Sequence, residues 1–169
     1  RSGYTVLGLD IAPDMIEIAR RRLSDALQLS FEVSDYEAPI DVGEFDAVVI
    51  YDALHHAEDD RGVIVNAFRT LRIGGVFITI EPGTGHSATD ATRDVVAKYG
   101  TTERDMPFSR QGAFMREAGF SSVRQYLRLN QLVLEDMTTE EGRVAQQSHI
   151  QALFHGTQNG LTSVVVAVK

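Results

Sequence analysis

The stretch GYTVLGLDIAPDMIEIARRRL, Gly3 to Leu23, decides how the fold is read. Tyr4 to Leu9 is a compact apolar run, Asp10 closes it, and Pro13 opens a segment in which Ile16, Ala19, Leu23 and Ala26 recur at helical spacing. Asp14 and Glu17 suit the positive end of such a helix. The order is strand, acid, turn, helix. In sheets that bind nucleotides, an acid at a strand end normally belongs to the second strand, while an earlier glycine loop holds the rest of the ligand. Only Arg1 and Ser2 precede this stretch, so the sequence raises the question of where a first strand lies.

Outward from that unit, strands and helices take turns. A short strand is expected around Ser30 to Ser34, and Phe45 to Tyr51 is apolar on both faces apart from Asp46, as a buried parallel strand reads. Glu58-Asp59-Asp60 starts a helix carrying Val63, Ile64, Ala67, Phe68 and Leu71, with Gly74-Gly75 as its stop. Val76 to Ile80 is another buried strand. Ser87 to Tyr99 is helix-like and polar, Ser109 caps a helix that Gly119 ends, and Val123 to Val133 and Val164 to Val168 are the last two strands. This alternation implies right-handed crossovers and an α/β, Rossmann-like, mostly parallel sheet with helices on both faces.

Composition narrows the class. A chain of 169 residues, 43% hydrophobic and 24% charged, suffices for one well-buried core, so residues 1–169 are expected to form a single domain. No apolar run approaches the ~18 residues of a membrane span, and the start lacks a signal-peptide pattern. A soluble, cytoplasmic protein is expected. The absence of Cys excludes a disulfide framework and a thiolate metal site. A net charge of -8 argues against a nucleic-acid partner, and Arg20-Arg21-Arg22 fan around a helix as a solvated face.

Five segments, LGLDIAPDMIEIAR, SDYEAP, FDAVVIYDALHHAED, FRTLRIGGVFITIEPG and FMREAGFSSV, occur in that order between Tyr4 and about Leu134. Together they resemble the second to sixth strand units of a class I S-adenosylmethionine-dependent methyltransferase of the small-molecule type. The resemblance implies S-adenosylmethionine as cofactor, methyl transfer to an oxygen, nitrogen or carbon of a small-molecule acceptor, and a C-terminal antiparallel strand pair with Val164 to Val168 between two other strands. It implies that Asp10 accepts the ribose hydroxyls and Ile11 packs on the adenine. Asp35 would accept from the adenine amine, with the Tyr36 N–H against a ring nitrogen, and Tyr51 and Asp52 would present backbone to the methionine part. Read as residues alone, Asp10 is alternatively a helix cap and Asp35 a turn residue.

The catalytic candidates are His56, Glu81 and His86. An imidazole titrates near neutrality, so His56 suits orienting or deprotonating a substrate hydroxyl, the alternative being a loop filler, as His55 is read. EPGTGH, Glu81 to His86, imitates a glycine loop, but no second strand with a terminal acid follows ~20 residues later. Glu81 and His86 are therefore read as substrate-side residues, or alternatively as a tight turn with a helix cap, and Ser87 to Met106 as a lid or pocket wall. No metal site is assigned, because one would need His55, His56 and His86 to converge.

In the family the first strand is central, beside the second and fourth, and here that strand–helix unit is missing. Either the natural chain begins ~30 or more residues earlier, the size of one such unit, or the second and fourth strands pair directly. The alternative to an enzyme is a non-catalytic relic or interaction module that keeps the fold without the cofactor. A nicotinamide enzyme is disfavoured by Leu-His-His and the late Gly-Phe unit. A homodimer stays among the expected partners; a membrane does not.

Overall fold

The computed structural model describes residues 3–23, 28–40, 43–126, 136–158 and 162–169, without the side chains of 152–158. Strand β1 (Val6–Asp10) leads into helix α1 (Pro13–Arg21), and β2 (Leu29–Val33) runs parallel to β1 with Val33 opposite Asp10. Next come β3 (Phe45–Tyr51), α2 (Asp60–Thr70) and β4 (Leu71–Glu81), with β3 and β4 parallel. Helices α3 (Asp90–Tyr99) and α4 (Phe108–Ala118) precede β5 (Ser122–Tyr126), and α5 (Glu140–Gln158) precedes β6 (Ser163–Val168). As expected, β6 lies antiparallel between β4 and β5. The architecture is Rossmann-like α/β with an antiparallel C-terminal pair.

The sheet comes in two pieces, which corrects the expectation of one. β1 and β2 pair with each other, and the other four strands form a second sheet in the order β3-β4-β6-β5. β1 and β3 make no ladder among the described residues, so the direct pairing of these two strands is not formed. Side-chain hydrogen bonds link the segment after β2 to α2 and to the turn before it. The Asn66 amide on α2 donates to the carbonyls of Tyr36, Glu37 and Ala38 at 3.1, 3.0 and 3.0 Å. The Glu37 carboxylate accepts from the Glu58 and Asp59 N–H groups, each at 2.9 Å, where the α2 dipole favours an anion.

Several boundaries follow local chemistry that periodicity alone misses. α2 stops at Thr70, whose hydroxyl donates to the Asn66 carbonyl at 2.8 Å, and Leu71 is already extended. Gly74-Gly75 is therefore not a helix stop. It is a bulge in β4: pairing jumps from Phe45↔Leu71 to Ala47↔Val76, Gly74 has φ +78°, and a Cβ on Gly75 would lie 2.9 Å from the Arg72 carbonyl. Pro107, not Ser109, occupies the N-cap of α4, its fixed φ leading the chain into the helix. Gly119 does end α4, at φ +108°. α1 ends at Arg21, before Leu23, and Arg20, exposed like Arg21 and Arg22, donates to the Phe31 carbonyl at 2.6 Å. Ala26 and positions 127–133 of the expected last strands lie outside the described residues.

The core lies where α2 and α4 cover the four-stranded sheet. Val63, Ile64 and Ala67 of α2 pack with Leu71 and Phe77 of β4, Met115 of α4 and Val165 of β6, all buried. Phe120 stacks on Phe77 with ring centres 5.7 Å apart and meets Phe68 edge-on at 5.0 Å. Among the described residues, no helix is long and apolar enough to cross a membrane.

Candidate active site

Ligands of open α/β sheets bind outside the carboxyl ends of the strands. β1 ends at Asp10, β2 runs into Asp35, β3 ends at Tyr51 and β4 ends at Glu81. Because β1 and β2 are parallel, Asp10 and Asp35 share one end of their sheet. The Asp10 carboxylate accepts from the Ala12 N–H at 2.8 Å, and the Asp35 carboxylate accepts from the Glu37 N–H at the same distance. Each is thereby fixed by its own turn. A carboxylate has about four acceptor sites, so one backbone bond leaves capacity for a ligand. Ile11, 65% exposed, and Tyr51, 62% exposed, are large apolar surfaces at the same strand ends. Asp52 turns the chain out of β3 at φ +52°, its N–H donating to the Ile80 carbonyl at 2.8 Å. Residues other than glycine adopt that conformation uncommonly, Asp and Asn more often than the rest.

Tyr36 joins the two halves. Its hydroxyl donates to the Ala53 carbonyl at 3.0 Å, and its pKa is pushed up to about 12 by burial and then by the charges of Glu37, Glu81, Asp35 and Asp10. Carboxylates from both sheet pieces thus act on one phenol.

Glu81 faces inward. It is fully buried, and its carboxylate accepts from the N–H groups of Ala53, Leu54 and His55 at 3.2, 3.0 and 3.3 Å and from His55 Nδ1 at 2.7 Å. These bonds hold the 3₁₀ turn of residues Leu54–His56 against the end of β4. A side chain so engaged does not face a substrate, unlike the sequence expectation, because the turn's orphan N–H groups claim it. Burial lowers the His55 pKa, but the Glu81 bond and the charges of Glu81, Glu103 and Asp52 outweigh it, and the net shift is upward.

Glu103 gathers the histidines. Its carboxylate lies 2.9 Å from His86 Nε2, 3.4 Å from His55 Nε2 and 3.6 Å from His56 Nδ1. His56 Nδ1 also donates to the Thr102 carbonyl at 2.9 Å. The three histidines thus meet around one carboxylate, but only His55 and His56 bring ligand atoms within 4.8 Å of one another and of Glu103. The segment carrying Glu103 is strapped down by Arg104 N–H to the His55 carbonyl at 3.2 Å and Met106 N–H to the Pro82 carbonyl at 3.0 Å. Arg110 anchors α4 by a two-pronged bond to the buried Asp60 at 2.7 and 3.0 Å.

The glycine cradle of EPGTGH already holds an anion. Asp105 accepts from the Gly85 and Ser87 N–H groups at 2.7 and 2.8 Å, and Gly85 stands at φ +89°. Burial raises the Asp105 pKa, but its bonds to Ser87 and Gly85 and the nearby His86 bring it below the ordinary value. Sequence reading missed Glu103, Asp105 and the Asp60–Arg110 pair. No local spacing marks them, since each partner lies 17 to 50 residues away.

Residues 1–79 match the family model described as a methyltransferase domain. Over those residues the chain is similar to methyltransferase domains. The demethylmenaquinone methyltransferase of Tropheryma whipplei (strain Twist) is 30% identical to this chain over 81 residues, 48% of the chain and 34% of that protein. The ubiquinone biosynthesis O-methyltransferase of Xanthomonas oryzae pv. oryzae (strain PXO99A) is 33% identical over 78 residues, 44% of the chain and 33% of that protein. The chain spans about a third of the length of these curated relatives. An S-adenosylmethionine-dependent methyltransferase from Mesorhizobium loti shares the fold with a TM-score of 0.68 at 17% identity, covering 96% of this chain and 79% of that one.

Proposed function

We propose that this chain belongs to a cytoplasmic enzyme that transfers the methyl group of S-adenosylmethionine to a small-molecule acceptor. The observation that carries the proposal is the placement of Asp10 and Asp35 at one end of the β1–β2 sheet, both acting on Tyr36, within a methyltransferase fold. Asp10 accepts the ribose hydroxyls, Ile11 covers the adenine, and Asp35 with the Tyr36 N–H reads its polar edge. Tyr51 and Asp52 present backbone to the methionine part. The names of the matched relatives support an acceptor of the quinone-precursor class.

When bound, the cofactor supplies a sulfonium-activated methyl, so positioning and water exclusion are the protein's main work. A carbonyl only accepts, so the bond from His56 Nδ1 to Thr102 puts the ring proton there and leaves the lone pair on Nε2. The side chain is 42% exposed, which lets Nε2 take a proton from an acceptor hydroxyl. His86, held by Glu103, is the second candidate base. Glu81 acts through the turn it holds and is a positioning residue.

Calorimetric titration with S-adenosylhomocysteine tests the assignment. Asp10→Ala removes the acceptor of the ribose hydroxyls; the net loss of even one hydrogen bond to a charged group, about 1.5 to 3 kcal/mol, should weaken binding roughly 10- to 100-fold or more. Equal affinity in variant and wild type would sink the adenosine site. Absence of binding by the same chain extended at its N-terminus by its native upstream sequence would favour a relic that keeps the fold alone.

A further inference from the structure

We infer that His55, His56 and Glu103 form a site for one divalent ion of the zinc class. These side chains offer two imidazoles and a carboxylate whose ligand atoms all lie within 4.8 Å of one another. The spacing is close to what such an ion needs. Across a tetrahedral ion with bonds of about 2.1 Å, two ligand atoms stand about 3.4 Å apart. Glu103 Oε2 lies 3.4 Å from His55 Nε2 and the other oxygen, Oε1, lies 3.6 Å from His56 Nδ1, so each carboxylate oxygen meets one imidazole near that separation.

The surroundings are those of a ligand set already oriented. A metal-binding histidine generally gives its other ring N–H to a carboxylate, which fixes the tautomer and raises its basicity. Glu81 does this for His55 at 2.7 Å while held itself by three backbone N–H groups. His86 Nε2 lies 2.9 Å from Glu103 and steadies the carboxylate. The side chains of His55 and Glu103 are 4% and 8% exposed, whereas His56 opens to solvent and leaves a fourth position for water or substrate. The second cluster, Asp52 with His55 and Glu81, is the weaker set because backbone donors and His55 already claim Glu81.

Binding displaces the proton on His56 Nδ1 and breaks its bond to Thr102. Loading thus switches His56 from base to ligand, and a hydroxyl at the open position is acidified by the ion instead. The site stands whether or not the cofactor assignment does, because its test needs no cofactor. Cobalt(II) titrated into chelator-treated, untagged protein should bind at one ion per chain, give the intense visible bands of a four-coordinate ion, and be displaced by zinc(II). Glu103→Gln and His56→Gln should each weaken binding by ~100-fold or more, and Glu81→Gln by about 10- to 100-fold, with circular dichroism unchanged in His56→Gln, whose side chain is the most open. Absence of saturable binding would overturn the inference. So would unchanged affinity in folded His56→Gln or Glu103→Gln.

Discussion

Truncating Glu81 to Ala should destabilise the protein more than its single carboxylate suggests. Four donors lose their acceptor: the N–H groups of Ala53, Leu54 and His55 and the His55 ring. Hydrogen bonds to a charged group contribute about 1.5 to 3 kcal/mol each, a gross loss of about 6 to 12 kcal/mol. Part is recovered, because the buried charge no longer has to be desolvated and water can enter the space. Removing one partner of a buried pair typically costs about 3 to 5 kcal/mol net. At about 2 to 4 °C per kcal/mol for a chain of this size, the midpoint should fall by about 6 to 20 °C. Thermal denaturation followed by circular dichroism, in chelator at neutral pH, measures it. Glu81→Gln keeps an acceptor for part of the set and should lose about half as much, so a signal survives if the Ala variant does not fold. A Glu81→Ala midpoint within about 2 °C of wild type would refute the reasoning that Glu81 organises the turn.

Tyr36→Phe should change stability at alkaline pH. The folded-state pKa of Tyr36 is raised from 10.0 to about 12, so its contribution is complete below 10 and lost as pH rises through 12. The wild type should therefore lose stability across that window and the variant less steeply, as followed by urea melts at successive pH values. Arg110→Ala leaves Asp60 buried with Arg104 at 3.7 Å as its remaining cation; after discounting for the exposure of Arg110, a loss of about 1 to 2 kcal/mol is expected in urea unfolding, and none would show that the pair is inert. Gly119→Ala forces a Cβ to 3.1 Å from the Phe68 ring at φ +108° and should cost about 1 kcal/mol or more. A neutral result in the same assay would mean that Phe68 yields without strain.

Much of the fold was legible because it is written locally. The apolar run ending at Asp10, the Pro13 start of α1, the buried run of β3 and the glycine after α4 each carry a signal within a few residues. Gly74-Gly75 misled because two glycines after a helix suit either a stop or a bulge, and strand pairing selected the bulge. α5 had no reading of its own, since its polar sequence shows little apolar period. In the site, the strand-end acids and Leu-His-His were visible as positions. The direction in which each side chain points was not.

By itself the sequence determined where strands and helices alternate and which chemical groups stand at strand ends, because backbone preference and apolar period act over one or two turns. Tertiary structure alone decided that Glu81 turns inward to hold the turn after β3, that Asp105 fills the glycine cradle, and that Glu103 meets three histidines. It also decided that β1 and β3 stand in separate sheets joined through Asn66 and Glu37. These outcomes depend on which buried N–H, carboxylate and imidazole groups find one another once distant segments pack. A buried polar group must be satisfied by whatever partner the fold brings within about 3 Å, and no spacing along the chain records that partner.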